Sequence, residues 1–240
     1  MISYKSVSII IPAYNEKKTI GKLIKKIQSI NLNKFKLKKE IIVVNDGSTD
    51  GTEIFLKKFK KIKIINIKNQ GKGRAVQIGI KNTKSDLVLI QDADLEYDPN
   101  DYQSLLRPFL YNKKIAVYGS RTMMLKKNSK NLFFKSKHPS QGFGPYIMNK
   151  ILQILFYLLY KNNITDLLTG YKIYNRKFFT KNKISTNGFE TDHEISIKLI
   201  KNNYKIIEIP INYKPRTRSE GKKINFLDGV KAIYTLFRFL

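Results

Sequence analysis

The sequence predicts an α/β fold: a mostly parallel central sheet with helices on both faces, and amphipathic helices in the C-terminal part. Three observations carry this. Short runs of β-branched and other apolar residues alternate with segments of helical period through the first half of the chain. Those runs are apolar throughout rather than at every second position, as in strands covered on both faces. Each run ends in a short polar loop, where an open parallel sheet places its ligands.

Residues 6–11 form the first β-branched run, closed by Pro12. Over 17–30, Ile20, Leu23, Ile24 and Ile27 recur at helical spacing. Residues 40–44 make a second strand, and 49–59 a helix with Ile54, Phe55 and Phe59 on one side. Residues 63–67 make a third strand, and 73–82 a helix turning Ala75, Val76, Ile78 and Gly79 inward. Residues 86–90 make the fourth strand, and Pro99 suits the first turn of a helix to about Leu110. Residues 114–118 make a fifth. The segment 123–138 is polar, basic and turn-rich, and is expected as a loop or insertion. Residues 142–162 read as a long helix with Ile147, Ile151, Ile154, Leu155 and Leu158 on one face. A helix over 190–202, a strand over 205–213 carrying Pro210, and an amphipathic helix over 226–240 complete the chain. No repeat or linker divides it, so one domain over 1–240 is expected.

A chain of 240 residues can bury a full core, and 42% hydrophobic with 27% charged residues is ordinary for a folded soluble protein. The absence of cysteine excludes disulfides, zinc–thiolate sites and cysteine nucleophiles. Residues 1–6 have no signal-peptide layout, and no stretch approaches the roughly 18 apolar residues that span a bilayer. A cytoplasmic location is therefore expected. The net charge is +28. Lysine, isoleucine and asparagine all have AT-rich codons, so genome composition and selected basicity are both accounts of that charge. A selected basicity would suit nucleic acid, an anionic membrane or phosphorylated substrates.

Against that charge, the acidic stretch Gln91-Asp92-Ala93-Asp94-Leu95-Glu96 at the end of the fourth strand stands out. Carboxylate oxygens are the ligands that hard divalent cations prefer. Helix capping before Pro99 explains Asp98 but not Asp92. Three further loops share this strand edge. Pro12-Ala13-Tyr14-Asn15-Glu16 offers Tyr14 to stack on a base and Glu16 to accept from a ribose or base donor, or is a plain turn capped by Asn15. In Asn45-Asp46-Gly47-Ser48-Thr49-Asp50-Gly51-Thr52, Asp46 could meet a base edge while Asp50 or Ser48 caps the next helix. Asn69-Gln70-Gly71-Lys72-Gly73-Arg74 puts cations at a helix start, as an anion site or a solvated basic turn. It has neither the Walker ending nor the dinucleotide glycine spacing.

In order and spacing these loops resemble family 2 glycosyltransferases of GT-A (Rossmann-like) fold, over about the first 120 residues. The second half is similar to the polyprenyl-phosphate sugar synthase branch, of the dolichol-phosphate mannose synthase type. Gly119-Ser120-Arg121, Asp166-Leu167-Leu168-Thr169-Gly170-Tyr171-Lys172, Gly188-Phe189-Glu190 with Asp192 and Glu194, and the basic run 215–223 carry that likeness. The run departs from the branch pattern in lacking the serine before lysine, and Glu96 stands where the branch often has glutamine. Tryptophan is absent, and with it the Gln-x-x-Arg-Trp signature of processive synthases.

The resemblance implies a nucleotide-sugar half over 1–120 and an acceptor half over 121–240. Pro12, Tyr14, Glu16, Asp46 and Gly47 would hold the nucleoside, and Lys72 would act at the base or phosphate. Asp92 with Ala93 would touch ribose or sugar, and Asp94 with Glu96 would bind Mg²⁺ or Mn²⁺ bridging the diphosphate. Arg121, Arg216, Arg218 and Lys222 would receive acceptor phosphate or the diphosphate. The implied chemistry is inverting transfer of a sugar from a nucleotide-diphosphate sugar to a polyprenyl phosphate, at the inner face of the cell membrane. An alternative acceptor is a saccharide hydroxyl, which needs a base; Asp192 is the first candidate and Glu194 the second, unless they form a surface face paired with Lys198 and Lys201. The helices over 146–160 and 226–240 would lie in the membrane interface or pack on the sheet, and a membrane-protein partner or homo-oligomer is compatible with either. A nucleic-acid-binding protein is the reading from another class; no nucleic-acid module and no interleaving of basic with aromatic residues supports it.

Overall fold

A computed structural model of the protein describes residues 4–128, 143–216 and 226–240. Seven strands form one sheet: β1 (Ser6–Ala13), β2 (Lys38–Asp46), β3 (Lys63–Ile67), β4 (Leu87–Ile90), β5 (Ile115–Ser120), β6 (Lys172–Asn175) and β7 (Lys205–Pro210). Their order is β3-β2-β1-β4-β6-β5-β7. Four of the six pairings are parallel, as expected; β6 alone runs antiparallel, to β4 on one side and β5 on the other. Sequence periodicity passed over β6 because Lys172 interrupts its apolar run, yet Lys172 is 1% exposed and Ile173 and Tyr174 beside it are buried. The inversion has a consequence for the site. The start of β6, not its end, lies at the edge where the parallel strands finish, so the loop 166–171 joins the loops after β1, β2 and β4.

The helices are α1 (Ile20–Ser29), α2 (Thr52–Leu56), α3 (Lys72–Lys81), α4 (Tyr102–Leu106), α5 (Arg121–Asn128), α6 (Phe143–Tyr160), α7 (Lys177–Lys181), α8 (Thr191–Lys201) and α9 (Phe226–Arg238). They cover both faces. The period of two in β1 sends Val7, Ile9 and Ile11 to one side against Ile20, Leu23, Ile24 and Ile27 of α1. Ile10 points to the other, where α3, α6, α8 and α9 supply Val76, Leu152, Phe156, Ile195 and Leu236. The helix expected over 99–110 is broken, with 3₁₀ turns at Pro99–Asp101 and Arg107–Leu110 flanking α4. Pro108 lacks the N–H a continuous helix needs there. Asp98 caps the first turn through the Asn100 N–H at 2.9 Å.

The expected loop over 123–138 is corrected in part. Residues 121–128 are helical, and 129–138 lie outside the described residues. Ser120 Oγ accepts from the Met123 N–H and Asp166 accepts from the Arg121 N–H, at 3.1 and 2.9 Å. Two caps, one from a distant loop, start a helix that composition hides. At the far end of the sheet the Lys39 ammonium donates to the carbonyls of Gln28 and Ile30, at 3.0 and 2.7 Å, closing the C-terminus of α1. Lys39→Met is expected to cost about 1 kcal/mol, read as a lower urea midpoint at unchanged slope.

Candidate active site

Along the C-terminal edge of the parallel strands the loops enclose a cavity of about 770 Å³. Pro12, Tyr14, Glu16, Asp46, Lys72, Asp92, Ala93, Asp94, Glu96, Arg121, Asp192 and Arg216 all line it. Gly47 does not; its φ is +71°, and a Cβ there would stand 2.7 Å from the Asn69 backbone nitrogen. Its place is to let the β2 and β3 loops touch. Arg218 and Lys222 lie outside the described residues.

The loops are cross-tied by their polar side chains. Asn15, at φ +53°, donates its N–H to Ser48 Oγ and accepts from the Thr49 N–H, at 2.9 and 2.8 Å. It joins the β1 and β2 loops rather than capping α1. Asp50 caps α2 by accepting from the Thr52 N–H at 2.9 Å. Asp46 accepts from the N–H groups of Gln70 and Gly71, at 2.8 and 2.9 Å, drawing the β3–α3 loop against β2. Gly73 brings α3 against α8: a Cβ there would stand 1.9 Å from Thr191 Oγ1.

Ion pairs organise the centre. Lys72 meets Asp92 at 2.6 Å. Burial opposes the Lys72 charge, but Asp92, Asp192 and Asp94 outweigh it and hold the pKa above its ordinary value. Arg216 reaches Asp94 at 2.9 Å and Glu16 at 3.3 Å. Burial, helped by Asp92 and Glu96 and opposed by Arg216, pushes the Asp94 carboxyl up to about 7. Leu95, at φ +64°, makes the tight turn that folds Glu96 back, with its N–H donating to Asp94 at 3.1 Å. Like Asp94, whose oxygens accept from Arg216 Nη2 and the Glu96 N–H, Glu96 lines the cavity tied to the protein. Both of its oxygens accept from protein donors, Tyr213 Oη and the Arg216 N–H, each at 2.8 Å.

Arg121 is held by Asp166 through Nε and Nη2, at 2.7 and 2.6 Å, and lies over the Tyr213 ring at 4.9 Å. Asp166 is fixed in turn by Glu208, which accepts from its N–H at 2.9 Å. The anchors Tyr213 and Glu208 were not singled out from sequence, since their meaning lies in partners 92 and 42 residues away.

The expected lysine partner holds for Glu194, which pairs with Lys198, and is corrected for Asp192. Asp192 pairs not with a surface lysine but with buried Lys172, at 2.6 Å. Burial lowers the Lys172 pKa against the pull of Asp192. Glu194 is fully buried away from the cavity. It accepts from the N–H groups of Ser185 and Thr186, at 2.9 and 2.8 Å, and from Lys198 at 2.6 Å. That removes it as a base and makes it the anchor of the loop before α8. Burial alone would raise its pKa, but Lys198 and the Thr186 and Ser185 donors prevail and lower it. A lowered folded pKa means stability that is present above the unfolded value and lost as pH falls through the folded one. Acid unfolding of Glu194→Gln is therefore expected to show a weaker pH dependence below about pH 4 than wild type, measured by thermal melts across pH.

Among the described residues no three carboxylates or imidazoles converge as a metal cage. The donor set still suits a hard divalent cation, which often takes one or two carboxylates and completes its shell with substrate phosphates and water. Asp94 fits that pattern by its place, lining the cavity just past β4 beside Asp92 and Lys72.

A family model described as Glycosyl transferase family 2 matches residues 8–182. A UDP-N-acetylglucosamine–dolichyl-phosphate N-acetylglucosaminyltransferase of Methanococcus voltae is 28% identical over 254 residues, covering 97% of this chain and 95% of that protein. A dolichol-phosphate mannosyltransferase of Pyrococcus furiosus is 30% identical over 243 residues, covering 97% of this chain and 64% of its own length. The crystal structure of glucosyl-3-phosphoglycerate synthase from Mycobacterium tuberculosis with Mn²⁺, UDP and phosphoglyceric acid shares the fold, with a TM-score of 0.73 at 20% identity, over 98% of this chain and 78% of that one. With the matched segment spanning all the loops after β1 to β5, the chain belongs to glycosyl transferase family 2.

Proposed function

We propose that this protein moves a sugar from a nucleoside-diphosphate sugar onto a polyprenyl phosphate, with inversion at the anomeric carbon. One observation carries the choice of acceptor. The cavity that holds Asp92, Asp94, Arg121 and Arg216 is also lined by Ile147, Ile151 and Leu152 of α6 and Ala232 of α9, with Asn149, Lys150 and Asp228 among them. Charged and apolar side chains lining one cavity suit a lipid phosphate better than a saccharide. The relatives named for dolichyl-phosphate transfer, in Methanococcus voltae and Pyrococcus furiosus, support the same acceptor.

Pro12, Tyr14, Glu16 and Asp46 are assigned to the nucleoside, with Gly47 shaping the loop behind them. Lys72, Asp92 and Ala93 are assigned to the ribose, diphosphate and sugar. Asp94 is the residue assigned to Mg²⁺ or Mn²⁺; Glu96 acts on the site by holding Tyr213 and Arg216. A bound divalent cation supplies Lewis-acid stabilisation of the leaving diphosphate. Arg121, preset by Asp166, and Arg216 receive the acceptor phosphate, together with Arg218 and Lys222. An acceptor phosphate oxygen attacks the anomeric carbon, the bond to the diphosphate oxygen breaks, and nucleoside diphosphate leaves. Such an acceptor is already an anion, so no base is required. Asp192, tied to Lys172, is then a charge-balancing wall residue rather than a proton acceptor.

We place the protein at the cytoplasmic face of a membrane, held peripherally. Among the described residues no helix is long and apolar enough to cross one. On α6, Ile147, Ile151, Ile154 and Leu158 are exposed along one stripe, and on α9 so are Leu227, Val230, Tyr234 and Phe237. Lysines such as Lys231 would meet anionic headgroups. The protein is expected to float with anionic liposomes at low salt; staying in the soluble fraction would count against this placement. For the reaction, a panel of nucleotide sugars is incubated with Mg²⁺ and short polyprenyl phosphates. Nucleoside diphosphate release that depends on the polyprenyl phosphate is expected. Equal release with a free glycan in its place would defeat the acceptor assignment.

A further inference from the structure

His193, in the first turn of α8, is fully buried, lines the same cavity as Asp92 and Asp192, and has no hydrogen-bond partner on either ring nitrogen. A buried polar atom without a partner costs stability, and native proteins keep few of them. Such atoms persist where a ligand completes them. The charged side chains facing the ring are Asp192 beside it and Lys172 from β6. Burial, with Lys172 adding to it and Asp192 opposing, lowers its pKa to about 4, so the ring is neutral near pH 7. A neutral imidazole brings one N–H donor and one bare acceptor nitrogen. A phosphate oxygen can only accept, and an isoprenoid tail can do neither. A sugar hydroxyl does both, and so satisfies whichever nitrogen it meets.

We propose that the His193 side chain turns to the cavity and hydrogen-bonds a hydroxyl of the transferred sugar, making it a residue that selects the donor sugar. This rests on the donor assignment above. It places the sugar beside α8, between the Lys72–Asp92 and Lys172–Asp192 pairs.

The test compares two affinities, measured calorimetrically with Mg²⁺: that for UDP or GDP, and that for UDP-glucose, UDP-N-acetylglucosamine and GDP-mannose. His193→Leu should bind the bare diphosphate as wild type does and lose about tenfold for the matching sugar nucleotide. His193→Gln, which keeps a donor and an acceptor, should recover part of that loss. His193→Leu should also raise Tm, by about 2–4 °C, because no polar atom is left unpaired. An unchanged ratio of sugar-nucleotide to diphosphate affinity in His193→Leu would overturn the assignment. If leucine prevents folding, the same ratio in His193→Met decides, since the methionine side chain carries no N–H or O–H donor. Failure of the wild type to bind any of these donors would instead overturn the donor reading itself.

Discussion

Asp94→Ala is expected to lower kcat for nucleoside diphosphate release by about 10²–10³ or more, and to abolish its stimulation by Mg²⁺ or Mn²⁺. The carboxylate sits at the end of β4 with Arg216 at 2.9 Å, facing the same cavity as Asp92 and Lys72. Removing it takes away the carboxylate assigned to the metal. Titration of the wild type with Mn²⁺, followed by electron paramagnetic resonance, should show affinity rising with pH through about 7, as the buried Asp94 carboxyl ionises. Stability should move the other way. An acid whose folded pKa lies above its unfolded one loses stability as pH climbs between the two, here from about 4 to about 7. Asp94→Asn should therefore lose less stability than wild type over that window. Metal-stimulated activity persisting in Asp94→Ala would show that the metal is held elsewhere.

Gln91→Leu is expected to cost about 2–5 kcal/mol, a large share of the stability of a typical domain. Gln91 is fully buried, next in the chain to Asp92. Its Oε1 accepts from both Tyr102 Oη and Tyr171 Oη, at 2.8 and 2.7 Å. Its Nε2 donates to the carbonyl of Asp92 at 2.9 Å. Leucine would strand two tyrosine hydroxyls, both in fully buried side chains, and free the backbone at Asp92. Urea unfolding should show the loss as a lower midpoint. In a Tyr102→Phe, Tyr171→Phe background the same change should cost far less, because matched apolar groups leave nothing unpaired. A full-sized penalty in that background would mean that packing volume, not the hydroxyls, sets the cost.

The first half of the chain was legible because its signals are local. The runs at 6–11, 40–44, 63–67 and 86–90 became β1 to β4, and their ends carry the site. Asp92, Asp94 and Lys72 were readable because carboxylates and cations just past a buried strand have few structural uses. The second half resisted for the opposite reason. β6 hides behind a lysine that burial and Asp192 jointly tolerate. Glu194 and Asp192, two residues apart on one helix, read alike in sequence. One ended in the cavity wall and the other inside the loop at 185–186, because a helix turns neighbouring side chains to different faces.

Sequence by itself determined the α/β architecture, the edge of the sheet that carries the cavity and the acidic cluster lining it, since hydrophobic period and loop chemistry are written in neighbouring residues. Only the tertiary structure decided which charges cancel. Arg216 rests on Asp94 and Glu16, Arg121 on Asp166, and Lys172 under Asp192. Each pair joins residues far apart in the chain, and its strength depends on burial that no local pattern encodes.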